Sequence, residues 1–244
     1  MTVEELSNQF DVLVSSYRRF KNFDNREILD SVEFNEYEKS YFLTKAQNDI
    51  VISLYNGRNS SGESFESTEE LRRYLSKLVK EAKLSPITNT SGMILGINSN
   101  SKFFTLPKDV WYITYEAACL SDAKCSSYNT VDVTPITQDE YNKVKNNPFR
   151  GLNDRNALRL DLSDGVVEIV CKYIVDSYYI RYFRKPKPIV LVDLPDNITI
   201  DGESKVSECE LHEALHQRIL DRAVMDALQS KSITDNNNNA HRQP

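Results

Sequence analysis

Apolar residues in this chain change their spacing twice, from helical to alternating and back, and that switch limits the folds open to it. Over residues 3–82 they recur at intervals of three and four. Phe10, Leu13, Val14 and Tyr17 mark a first helix over 3–20, and Tyr37, Tyr41, Ala46, Ile50 and Leu54 mark a second. Leu71, Leu75, Leu78, Val79 and Ala82 mark a third. Asn35 and Glu38 have the spacing of a capping pair, and Gly57 stands where a left-handed residue ends a helix. Ser67 with Glu70 opens the third helix after the RNSSGES link. From residue 100 to 195 the pattern is β-branched, aromatic and alternating. KFFTL (102–106), DVWYITYEAACLS (109–121), AKCSSYNTVDVTPIT (123–137), SYYIRYFR (177–184) and PIVLV (188–192) read as strands. Asp164-Gly165 between two apolar runs is a hairpin signal, and Thr137 with Glu140 opens a short helix that Pro148 closes.

Helical spacing then returns. Ser207 and Glu210 fit a capping box, Val206 and Leu211 a hydrophobic staple, and Leu211, Leu215, Ile219, Ala223 and Val224 carry the stripe. These predict a long helix over 207–229, followed by an extended polar tail over 230–244. Helices first, a mostly antiparallel sheet second and a closing helix last argue an α+β fold. The expected organisation is one domain, 1–229: a helical part (1–82), a β-rich part (100–195) and the C-terminal helix (207–229).

That last helix holds the one string with catalytic spacing, His212-Glu213-Ala214-Leu215-His216. In H-E-x-x-H, two imidazoles one helical turn apart hold Zn²⁺ and the glutamate activates a bound water. A zinc metallopeptidase using His212, Glu213 and His216 is therefore the alternative reading. Against it, no Gly-x-x-His follows His216, and the expected helix leaves no room for a downstream carboxylate ligand. The preferred reading has both imidazoles on or beside a packing face, with no catalytic, cofactor-binding or metal residues and no cofactor.

The 244 residues carry 30 Lys and Arg against 36 Asp and Glu, a net charge of −6, where a phosphate-binding protein carries the opposite sign. Arg181, Arg184, Lys185 and Lys187 form the one basic cluster, read as a solvated sheet edge. Seven glycines and no G-x-G-x-x-G or Walker A string argue against a glycine-dependent nucleotide site. Cys119, Cys125, Cys171 and Cys209 have no metal-ligand spacing and read as reduced and mostly buried. The polar start MTVEELSNQF is no signal peptide, and no apolar run reaches the ~18–20 residues of a membrane span.

The phrases FDVLVSSY, EYEKSYFLTKAQNDIVISLYNG, FESTEELRRYLSKL, RNALRLDL, IRYFRKPKPIVLV and CELHEALHQRILDRAV, in this order over residues 8–229, resemble the ring-forming head-to-tail connector proteins in the neck of crAss-like tailed bacteriophages. What the resemblance implies is structural: copies closing, usually twelve-fold, into a homo-oligomeric ring beneath the portal. The implied partners are further copies, the portal protein and adjacent ring or tail proteins. DNA would pass through the lumen without sequence-specific binding, and no membrane is involved. The implied location is the virion neck, with assembly in the host bacterial cytoplasm. No enzymatic residue is implied.

Overall fold

The structure is a computed structural model, described here over residues 1–21, 33–58, 62, 64, 65, 67–87, 100–121, 130–195 and 197–240, with backbone alone at 17–21 and 232–240. It contains five α-helices and a seven-stranded, mostly antiparallel sheet among the described residues, an α+β fold. The chain packs as two compact units, Met1–Lys77 with Pro186–Pro244, and Leu78–Lys185.

The first unit is helical. Helix α1 (Val3–Lys21) buries Leu6, Phe10 and Val14. In α2 (Glu36–Tyr55) the capping box forms in both directions: the Glu38 amide donates to Asn35 Oδ1 at 2.8 Å, and the Asn35 amide to Glu38 Oε2 at 3.0 Å. Gly57 follows at φ +69°, the left-handed stop its sequence position predicts. The buried stripe of α2 differs from expectation at its start. Ala46, Ile50 and Leu54 face the core, whereas Tyr37 and Tyr41 are exposed. Helix α3 is shorter than predicted, Glu69–Leu75, and its cap is Thr68, whose hydroxyl accepts from the Leu71 amide. A 3₁₀ turn at 76–78 takes up Leu78 and ends it, so Val79 and Ala82, which extended the helical stripe, serve a strand instead.

The second unit is the sheet: β1 (Val79–Leu84), β2 (Lys102–Thr105), β3 (Val110–Leu120), β4 (Thr130–Ile136), β5 (Asn156–Asp161), β6 (Val166–Val170) and β7 (Val175–Arg184). The order is β1-β7-β3-β4-β5-β6-β2, and every neighbouring pair is antiparallel except β4–β5. That parallel pair is bridged by helix α4 (Gln138–Val144), because a parallel neighbour needs a crossover. Thr137 caps α4 as placed, but its side chain makes no capping bond. The Asp164-Gly165 hairpin forms as predicted, with φ +57° and +72° and the Val166 amide donating to the Ser163 carbonyl. The sheet curls: Phe104 of β2 meets Tyr178 of β7 at 5.4 Å between ring centroids, although four strands separate them in the hydrogen-bonded order. Its inner face holds a continuous apolar core, and α4 covers Leu158, Leu160 and Val170 on the outside. Residues 123–129 of the third expected strand, with Cys125, lie outside the described residues, as do residues 22–32 and most of the RNSSGES link.

Two expectations about 186–244 are corrected. PIVLV is not a sheet strand; it runs extended along α2, and its β-type pairing among the described residues is an isolated antiparallel bridge from Val190 to Ser207. The closing helix α5 spans His216–Ala240, later at both ends than the expected 207–229, so the polar segment is helical through Ala240. Ser207 and Glu210 do not cap it. The Ser207 backbone exchanges two bonds with Val190, and the Glu210 carboxylate accepts from the Lys187 amide at 2.7 Å. Local spacing fits a box, but tertiary partners claim both residues.

Candidate functional site

The H-E-x-x-H residues do not form the arrangement their spacing suggests. His212 lies before the helix in extended backbone and caps a 3₁₀ turn at 213–215, its Nδ1 accepting from the Ala214 amide at 3.3 Å. Its ring is exposed and rests against Tyr74, 5.1 Å between centroids. Glu213 is exposed on that turn. His216 is buried, Nε2 donating to the Leu211 carbonyl at 3.1 Å and Nδ1 facing the Met1 amino group at 3.0 Å. With one nitrogen donating and the other accepting, its lone pair is engaged. Burial pushes the His216 imidazole below its usual range, the Leu211 carbonyl pulling the other way. Among the described residues no group of three or more His, Cys, Asp or Glu is placed to hold a metal ion. A peptidase needs both imidazoles one turn apart on a single helix. Here one opens a 3₁₀ turn ahead of the helix and the other is buried with both ring nitrogens engaged.

Spacing gave no signal for a row of buried polar side chains on α2. Ser40, Thr44 and Gln47, all buried, lie along the extended segment 187–191. The Leu191 amide donates to Ser40 Oγ at 3.0 Å, and the Ile189 amide to Thr44 Oγ1 at 3.0 Å. The Thr44 hydroxyl donates to the Ile189 carbonyl at 3.2 Å, and Gln47 Nε2 to the Lys187 carbonyl at 2.7 Å. One helical turn rises about 5.4 Å, close to two residues of extended chain, so side chains four and three apart meet backbone groups two apart. The helix thus satisfies a segment that would otherwise need a strand partner.

On the inner side of the curled sheet a second polar group is largely buried. Glu116 of β3 pairs with Arg159 of β5 and accepts from the Tyr178 hydroxyl at 2.6 Å. Arg159 also reaches Asp161, Nε to Oδ1 2.9 Å. Burial pushes the Glu116 carboxyl and the Tyr178 phenol up. These residues tie three strands of one core together. The basic cluster is not a sheet edge, since β7 lies between β1 and β3. The described cysteines are free: Cys171 is buried, Cys119 and Cys209 partly so.

Exposed apolar side chains stand on well-fixed backbone instead. Phe149 is 90% exposed at the tip of the loop after α4. Asn147 Oδ1 accepts from the Phe149 and Arg150 amides at 2.9 and 3.1 Å, and Asn156 Nδ2 donates to the Arg150 and Gly151 carbonyls. Gly151 is buried so closely that a Cβ would lie 2.4 Å from the Val144 carbonyl oxygen. In the other unit, Val192, Ile198 and Val206 are 41–49% exposed on a turn-closed arm. The arm is held by the Val190–Ser207 bridge, the Leu194 amide on the Ser204 carbonyl, and Asp201 and Gly202 at φ +50° and +88°. Such residues are the currency of contact surfaces, not of catalysis.

A family model described as phage tail ring protein 3/4 matches residues 1–239. The chain belongs to that family. It is 44% identical over 235 residues to Ring protein 3 of Bacteroides phage crAss001, covering 95% of this chain and 97% of the relative. Ring protein 4/5 of the same phage is 30% identical over 234 residues, covering 92% and 91%. The ring-protein family resemblance read from the phrases along 8–229 is thereby established, and the match runs through both compact units. Within this family of crAss-like phage ring proteins, the H-E-A-L-H string of this chain is a turn and a packed imidazole. No helix among the described residues is long and apolar enough to cross a membrane.

Proposed function

We propose that this chain is a non-enzymatic ring subunit of the virion neck: copies close, twelve-fold, into a ring that joins head to tail around the DNA conduit. The single observation that carries the reading is the family match over residues 1–239. Its neighbours are the portal protein and adjacent ring or tail proteins, and the ring assembles in the host bacterial cytoplasm. Both compact units act together as one building block, the 1–229 body of the sequence reading. Three physical features are consistent with this. A cyclic ring needs two different complementary faces on each copy. Exposed apolar side chains on hydrogen-bonded backbone supply contact at a reduced loop-ordering cost. A net charge of −6 lets DNA pass without counterion-release binding. Native mass spectrometry with negative-stain imaging of the full chain, alone and with the portal protein, tests the reading. Closed rings of one copy number are expected; single copies under every condition, portal included, would overturn it.

A further inference from the structure

The two compact units differ in charge. Unit Leu78–Lys185 holds fourteen Lys and Arg against twelve Asp and Glu, a net +2; the remainder of the chain holds sixteen against twenty-four, a net −8. The positive unit presents Phe149 beside Arg150 on the loop that Asn147, Gly151 and Asn156 hold in place. The negative one presents Val192, Ile198 and Val206 on an arm that also bears exposed Asp193, Asp201 and Glu203, with Lys205 as its one basic residue. Beside Phe149 the exposed Arg150 cation stands on a surface that also bears Glu140, Asp154 and Arg155, whereas the arm sets three exposed carboxylates against one lysine. The two are different faces, as a head-to-tail contact requires.

We infer that the Phe149 loop of one copy docks on the 190–207 arm of the next copy, with Phe149 among Val192, Ile198 and Val206 and Arg150 facing Glu203. The occupant is a second copy of this chain, so the inference rests on the ring reading and specifies its subunit contact. Rigid presentation matters here. An aromatic held out by a hydrogen-bonded loop loses less loop entropy on docking, and a buried central aromatic is the common anchor of such contacts. The flanking charges fix register and exclude like faces.

Charge reversal tests this in the full chain. Phe149→Ser, Arg150→Glu and Glu203→Lys are each expected to raise the protein concentration at half-assembly by at least about tenfold, read by mass photometry. All three positions are exposed, so melting curves should match the parent. Mixing the Arg150→Glu and Glu203→Lys proteins is the decisive arm. Each alone meets its own charge, Glu on Glu or Arg on Lys, whereas alternating copies restore opposite charges at every contact. Recovery of assembly on mixing, and in the double variant, is the expected result. A parent that assembles while the variants assemble equally well, or variants that no mixing rescues, would overturn this contact and leave the ring reading standing. A parent that never assembles, even with the portal protein supplied, would overturn both.

Discussion

Thr44 uses both halves of its hydroxyl on Ile189, accepting from the amide and donating to the carbonyl. Replacing it by valine keeps the shape and strands a buried N–H, so Thr44→Val is expected to cost about 1–3 kcal/mol in denaturant titration, and Thr44→Ser far less. An unchanged midpoint for Thr44→Val would mean that α2 does not hold the segment. His216 makes a second residue-level case. Its folded value lies below the ordinary one, so the unfolded chain takes up a proton first as pH falls. Its contribution is therefore complete above about pH 6.5 and declines as pH drops below that toward the depressed folded value. In His216→Gln the fall in stability between neutral and mildly acid pH should be shallower; an equal slope would contradict a buried neutral imidazole. Neither role was visible in spacing. Polar residues at 40, 44 and 47 look like interruptions of an apolar stripe until the partner, some 140 residues later in sequence, is known.

At the level of elements, two capping boxes with the same spacing had different fates. Asn35 and Glu38 bond each other's backbone amides, and their box forms. Ser207 and Glu210 are claimed by Val190 and Lys187, so the helix starts at His216. Asn35→Ala should therefore cost about 1 kcal/mol, whereas Ser207→Ala should stay within about 0.5 kcal/mol, both read by thermal melting. Equal losses would place a real cap at Ser207. Gly151→Ala should break the loop, since its methyl has nowhere to go, and should depress assembly through Phe149 as strongly as Phe149→Ser. Elements decided by short-range chemistry were legible: α1, α2, the Asp164-Gly165 hairpin and the antiparallel character of the sheet. Those decided by long-range pairing were not. The apolar residues at 78–82 fit helix spacing and strand burial equally, and β7 shows no sign in its own sequence of lying between β1 and β3 rather than at an edge.

For the whole molecule, the family was legible in phrases spread along most of the chain and not in any one cluster of residues. The only string with catalytic spacing is a cap and a buried imidazole, while the Phe149 loop and the 190–207 arm are two of the surfaces that expose apolar side chains. Their opposite charges also predict that higher salt weakens assembly, because exposed charges are screened over about 8 Å at physiological ionic strength. A salt-independent assembly midpoint would argue for a purely apolar contact. The most direct test of the account is a cryo-EM reconstruction along the neck axis of the phage particle that encodes this chain. The account predicts a closed ring of copies between head and tail, each touching its two neighbours through different faces; particles in which the chain occupies no ring would contradict it.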